Sequence, residues 1–292
     1  MWQLLTFTAE DQISGSQFST EPLVRRLAIA VEKGDQREVE AAVKAGADVD
    51  ALGRAGFRLL DWAMARSNPS GFAALLQQGA RLDMMYRDSK SVPDPSYNQT
   101  ILERVLSTDS REFIQAVLRS GVDPNAVPFP QDGRSLLCFA VDAKAIQVID
   151  VLLEQGADVD HRDRGGKTPL FSAMLTCNYK TALHLIDRGA DPTVRNHQGH
   201  DFVWGLKEWG SRGVRPDQRE SFEKIVAELV RRGLLTRQDI VEADKPKQSV
   251  LDGPPGITVI EHAPDSEAGQ AIRELDQLER DANARDRAER GR

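Results

Sequence analysis

A glycine recurs through this chain behind the same short segment, and that recurrence constrains the fold more than any other feature. The segment reads Ala42-Val43-Lys44-Ala45-Gly46, then Leu75-Leu76-Gln77-Gln78-Gly79 and Val117-Leu118-Arg119-Ser120-Gly121. It returns as Leu152-Leu153-Glu154-Gln155-Gly156 and Leu185-Ile186-Asp187-Arg188-Gly189, with a degenerate sixth copy ending Leu229-Val230-Arg231-Arg232-Gly233. The glycine spacings are 33, 42, 35, 33 and 44. A period of this size marks stacked supersecondary units. The 292 residues therefore divide into repeats, not into two globular domains of roughly 150 residues each.

Each part of the repeat has a physical task. The glycine ends a helix, at the position where a left-handed backbone is favoured. The apolar residues before it, such as Val148, Ile149, Leu152 and Leu153, fall at helical spacing and predict one buried stripe. A second glycine follows in most copies, at Gly56, Gly133, Gly166 and Gly199, and marks a tight turn. A shorter helix comes next, with small residues where neighbours approach: Ala30, Ala63, Val105, Ala140 and Ala173. In the copy Gly166-Lys167-Thr168-Pro169-Leu170-Phe171, Thr168 is placed to cap that helix and Pro169 suits its first turn.

These residues resemble the ankyrin repeat, with its Thr-Pro-Leu-His box and its later Gly-Ala-Asp. The resemblance covers residues 23–242 and implies an all-α ankyrin-repeat solenoid of about six helix-turn-helix units with short β-turn fingers. The histidine place of the box holds Phe171 in the best copy and Ala28, Asp61, Glu103 and Cys138 elsewhere. The histidine's hydrogen bonds between repeats must therefore be missing or replaced, which predicts a less regular stack. Residues 1–22 read as an N-terminal extension, 243–265 as a Pro/Gly-containing linker and 266–292 as a charged, flexible, partly helical tail. The finger before the third repeat is longer by nine residues and carries Tyr86 and Tyr97, and a smaller extension holds Val127-Pro128-Phe129-Pro130. Arg231 and Arg232 give the last repeat the polar outer face of a cap.

Composition excludes several classes. A net charge of -7 argues against non-specific nucleic-acid binding, which draws on Lys and Arg neutralising phosphates. No apolar run approaches a membrane span. Two cysteines, Cys138 and Cys177, make neither a disulfide framework nor a four-ligand zinc site. The opening Met1-Trp2-Gln3-Leu4-Leu5 lacks the basic residues of a secretory signal. That reads as a cytoplasmic chain as numbered, or a periplasmic one if a signal has been removed. Catalytic signatures are absent: no phosphate-cradling loop, no paired-His zinc helix, no nucleophile elbow. Cys138 takes a core position of the repeat, and Cys177 stands where the turn glycine is expected. His161, His197, His200 and Asp201 invite a metal test, but they flank a turn and read as polar finger tips. Asp160 and Asp163 read as turn residues that satisfy backbone amides. No enzyme, cofactor or metal is expected.

What remains is surface. Trp62, Phe139 and Trp204 fall on inward helix positions and are assigned to the core. Arg162, Arg164, Lys167 and Arg195 make a basic finger region on an acidic chain, able to steer an acidic partner. The resemblance implies protein binding on the fingers and inner helix faces. There the chain offers Arg54, Phe57, Arg66, Tyr86, Tyr97, Phe129, Arg164, Lys167, Thr176, His197, His200 and Trp209. Arginine and aromatics, the types favoured as interface anchors, dominate that set. Ala30-Val31-Glu32-Lys33-Gly34-Asp35, the Asp163-Arg164-Gly165-Gly166 turn and the degenerate last repeat are similar to bacterial ankyrin proteins encoded beside type VI secretion lipase effectors. The expectation is a protein that is monomeric when free and binds a lipase effector as its immunity or accessory partner. A scaffold or host-directed effector without a toxin partner is the alternative.

Overall fold

The computed structural model describes residues 14–53, 57–83, 100–209, 214–236 and 238–239. Arg54, the long finger with Tyr86 and Tyr97, the linker and the tail lie outside the described residues. The described residues form twelve α-helices that follow one another along the chain as six successive pairs: α1 (Pro22–Lys33) and α2 (Gln36–Lys44), α3 (Leu59–Ala65) and α4 (Pro69–Gln77), α5 (Ile101–Ser107) and α6 (Arg111–Arg119), α7 (Leu136–Ala143) and α8 (Ile146–Glu154), α9 (Pro169–Leu175) and α10 (Tyr179–Asp187), and α11 (Phe202–Trp209) and α12 (Arg219–Arg231). Single bridges pair Leu52 with Arg58 and Phe129 with Arg134 in two fingers. This is the expected all-α ankyrin-type repeat.

The repeat glycines do what their positions predict. Gly46, Gly121 and Gly189 close their helices with φ of 100°, 98° and 96°, a region that costs an ordinary residue steric strain. Between the two helices of a pair the same left-handed step recurs without glycine, at Ser67, Asp109, Lys144 and Cys177. Among the described residues only the first pair keeps a glycine there, Gly34. The small residues Ala30, Ala63, Val105, Ala140 and Ala173 are all buried, as is the stripe Val148, Ile149 and Leu152. Val151 replaces Leu153 in that stripe, because the helix turns its face one position earlier than the apolar pair suggests. Thr168 Oγ1 accepts the Phe171 amide at 3.2 Å and caps α9.

The described residues fall into two compact units. Unit 1 comprises residues 1–126 and 145–156 and unit 2 residues 127–144 and 157–292. In unit 1 the second helices α2, α4, α6 and α8 pack in sequence, with Phe72 of α4 edge-on to Phe113 of α6 at 5.1 Å. Helix α4 lies so close to α1 that a Cβ on Gly71 would overlap the Val31 carbonyl oxygen. In unit 2 the first helices α7, α9 and α11 pack side by side and α10 packs on α12. There Tyr179 meets Phe222 edge-on at 5.0 Å.

The absent histidine is replaced differently in the two units. In unit 1 Asp61 is fully buried at its place, and Arg104 Nη1 from the next repeat lies 2.7 Å from Asp61 Oδ1. The approach is ionic, at an angle that makes no directed hydrogen bond. Burial pushes the Asp61 carboxyl above the usual carboxylate range, against the pull of the Arg104 guanidinium. Glu103 caps its own helix, accepting the Thr100 amide at 2.7 Å while Thr100 Oγ1 accepts the Glu103 amide at 3.2 Å. In unit 2 the place holds Cys138, Phe171 and Trp204, none of them charged.

Stacking is also tied through the fingers. Four residues after the terminal glycine, Asp50 Oδ1 accepts the Arg81 amide at 3.0 Å, and Asn125 Nδ2 donates to the Gly156 carbonyl at 3.0 Å. Asp160 does the same in unit 2, accepting the Asp191 amide at 3.0 Å. One side-chain position thus holds the backbone of the following repeat in both units.

Candidate functional site

The finger turns of unit 2 are built on an Asp or Asn that closes the loop onto itself. Asp163 Oδ1 accepts the amides of Gly165 and Lys167, both at 2.8 Å. Asn196, 33 residues on, accepts those of Gln198 at 2.9 Å and His200 at 3.0 Å. Adjacent fingers are laced together. The Arg164 amide donates to the Asp132 carbonyl at 3.0 Å and the His197 amide to the Gly165 carbonyl at 2.9 Å. Arg162 Nη2 reaches the Arg195 carbonyl at 2.9 Å, and a His161 ring nitrogen lies 2.8 Å from the Gly133 carbonyl. Asp160 and Asp163 therefore serve backbone amides, as read from the sequence. Among the described residues no group of three or more His, Cys, Asp or Glu is placed to hold a metal ion.

This lacing orients charge. Asp163 is only 10% exposed, whereas Lys167, 3.6 Å away, is 41% exposed. Asp201 is 13% exposed and Arg195, at 3.5 Å, is 73% exposed. The carboxylates are turned in toward amides and the cations outward. The guanidinium of Arg164 is exposed and pairs with no carboxylate among the described residues. A segment of mixed composition thus presents a basic surface.

Aromatic side chains flank these fingers on α7 and α11. Phe129 packs edge-on against Phe139 at 5.6 Å, with the Arg134 guanidinium 4.4 Å above the Phe139 ring and paired with Asp142. The His200 ring stacks on Trp204 at 3.6 Å and 3°, and Trp209 meets Trp204 at 6.0 Å and 69°. Asp201 Oδ1 accepts the Trp204 amide at 2.7 Å, which fixes the start of α11 and so the tryptophan. Trp209 is 38% and Leu175 of α9 is 45% exposed. The assignment of Phe139 and Trp204 to the core needs correction: both are half-buried, while Trp62 alone of the three is core. Their helix positions face inward, but the described side chains that reach them, Phe129 and Arg134 at Phe139 and His200 and Trp209 at Trp204, leave both rings part-exposed.

The other expected surface residues separate by unit. Phe129, Arg164, Lys167, Thr176, His197, His200 and Trp209 belong to unit 2. The Thr176 hydroxyl turns back to the carbonyls of Ser172 and Ala173. Phe57 and Arg66 belong to unit 1. Phe57 is half-buried and its carbonyl accepts the Gly53 amide at 2.8 Å. Arg66 is paired with Glu32 and lies 4.9 Å from the Trp62 ring. Sequence reading missed Leu175. Its signal was available, because the residues 33 positions before and after are Asp142 and Glu208, so an apolar residue there breaks a solvent-facing register. Cys138 is buried with Ser135 Oγ 3.6 Å from its sulfur, and burial pushes its thiol up, which disfavours the thiolate.

A family model described as Ankyrin repeats, in three copies, matches residues 95–196. The chain is 31% identical over 175 residues to the nuclear factor NF-kappa-B p105 subunit of Gallus gallus, covering 59% of this chain and 17% of that protein. It is 29% identical over 160 residues to a B-cell lymphoma 3 protein homolog of Mus musculus, covering 54% and 34%. An ankyrin repeat protein of Rickettsia felis is 26% identical over 211 residues, covering 63% and 54%. The chain thus spans well under two thirds of each of these relatives. Among the described residues no helix is long and apolar enough to cross a membrane.

Proposed function

We propose that this ankyrin-repeat chain is a non-catalytic module that holds a protein partner on the fingers and first helices of unit 2. The observation that carries the reading is the Trp204–Trp209 corner beside outward-turned cations. Half-exposed aromatics and arginines held by a rigid scaffold are what an interface hot spot requires. The partner is a lipase-type effector of type VI secretion, and the chain neutralises it as an immunity or accessory protein. Support for that finer reading comes from the resemblance of the first repeat, the Asp163-Arg164-Gly165-Gly166 turn and the last repeat to bacterial ankyrin proteins, and from the bacterial relative in Rickettsia felis. In this reading the module works in the cytoplasm and is monomeric before it meets its partner. Pull-down from native cells should recover a lipase, and co-expression should relieve the growth arrest that lipase causes. Arrest that persists beside a well-folded chain sinks the immunity role.

A scaffold without a toxin partner is the second reading. It is favoured by the similarity to the nuclear factor NF-kappa-B p105 subunit and the B-cell lymphoma 3 protein homolog. Recovery of a non-toxic protein that binds directly and in defined stoichiometry would select it.

A further inference from the structure

We infer that the unit 2 face takes an acidic segment of its partner carrying one aromatic or large aliphatic anchor, a deepening that rests on the protein-binding reading above. The charge argument comes from orientation. Asp163 and Asp201 are spent on the amides of Gly165, Lys167 and Trp204. Lys167 and Arg195 stand out from them, and Arg164 stands free among the described residues. These cations and the aromatics form one connected surface. The Arg164 finger is bonded to the Arg195 finger through Gly165 and His197, Arg195 pairs with Asp201, and His200 stacks on Trp204, which meets Trp209. Carboxylates arriving at the fingers place the following side chain near the tryptophan corner.

The chain itself supplies the precedent for such seating. In unit 1, Phe18 from the segment before α1 packs on Trp62 at 5.6 Å. Beside it Arg66, over the same indole, meets the carboxylate of Glu32, whose other oxygen accepts the Gly15 amide at 2.6 Å. An aromatic anchor on a first-helix tryptophan, next to an arginine–carboxylate pair, is thus satisfied within unit 1. Unit 2 displays the indoles and the arginines, no such anchor or extra carboxylate meets them among the described residues, and a partner segment that brings both completes the arrangement.

The test uses the full chain and a fluorescein-labelled peptide rich in glutamate with one central tryptophan, followed by anisotropy. Two control peptides replace the glutamates with lysine or the tryptophan with serine. The glutamate–tryptophan peptide should bind best, and added salt should weaken it. The Arg164→Glu/Arg195→Glu variant should lose about tenfold or more in affinity, as should Trp209→Ala, each loss of tenfold being about 1.4 kcal/mol. Arg81→Glu in unit 1 should leave binding unchanged, and thermal melts should confirm that every variant folds. Equal binding of the lysine peptide, or indifference to the double reversal, overturns the inference. Displacement of the peptide by polyphosphate together with indifference to Trp209→Ala overturns it too, in favour of an anion site. A natural partner held equally well by wild type and variants defeats this inference while protein binding stands. Peptide binding as described, with no natural protein partner recovered, does the reverse.

Discussion

Trp62 in unit 1 and Trp204 in unit 2 lie on first helices of the same repeat type, yet they meet different fates. Phe18 covers Trp62, Gly53 admits the Phe18 ring because it has no side chain, and Arg66, paired with Glu32, lies over the indole. Trp204 has His200 on one face and Trp209 at its edge, and Trp209 is itself 38% exposed. The histidine place differs in parallel, holding the buried ion pair of Asp61 with Arg104 in unit 1 and uncharged side chains in unit 2. Among the described residues, a repeat thus spends its inner aromatic on its own stability where another segment reaches it, at Trp62, and leaves it part-exposed where none does, at Trp204.

The strongest way to break this contrast is at the buried pair. Arg104→Ala leaves the Asp61 carboxyl buried without its counter-charge and should cost about 3–5 kcal/mol in urea unfolding. Asp61→Leu combined with Arg104→Leu should recover most of the loss. If Arg104→Ala instead unfolds like wild type, Asp61 is hydrated or holds a proton, and the ion pair is not what secures unit 1.

The next test sets the two covered and uncovered aromatics against each other. Phe18→Ala removes a buried ring from Trp62 and should cost about 3–5 kcal/mol. Trp209→Ala, in a half-exposed position, should shift stability by no more than about 0.5 kcal/mol. Equal losses would show that Trp209 is structural. The smallest effect expected is a gain. Ser67→Gly in unit 1 and Cys177→Gly in unit 2 relieve a left-handed residue with φ of 50° in each case. Relief of about 1–2 kcal/mol is partly offset by glycine's greater freedom when unfolded, leaving roughly 0.5 kcal/mol. A gain in one unit only would mean that the two turns, alike in backbone, are held by different surroundings.

The helix pairs were legible because glycine placement and apolar spacing act locally, within a single turn of chain. Thr168 as a cap and Asp163 as a turn residue were legible for the same reason. Phe139 and Trp204 were misplaced because a helix position specifies which way a side chain points and not what arrives to cover it. That depends on Phe129 in one case and, among the described residues, on the lack of a counterpart to Phe18 in the other. Phe18 itself precedes the repeats and obeys no period, so its partner could not be read, although the glycine at position 53 is a trace of its arrival. The Asp61–Arg104 pair was foreseen only as a missing histidine, since its two members lie in different repeats with no fixed spacing between them.

The side chain four places after three of the terminal glycines, Gly46, Gly121 and Gly156, ties one repeat to the next through Asp50, Asn125 and Asp160. What it grasps is a backbone amide or carbonyl, a group that every amino acid other than proline supplies in full. The bond therefore makes a demand on the sending repeat alone. A receiving repeat is free to change its side chains at Arg81 or Asp191 without loosening its attachment, whereas Gly156, with φ of 88°, is held by its own backbone. Sequence drift is held back in one direction along the chain and released in the other, so neighbouring repeats can diverge in what they recognise while remaining joined.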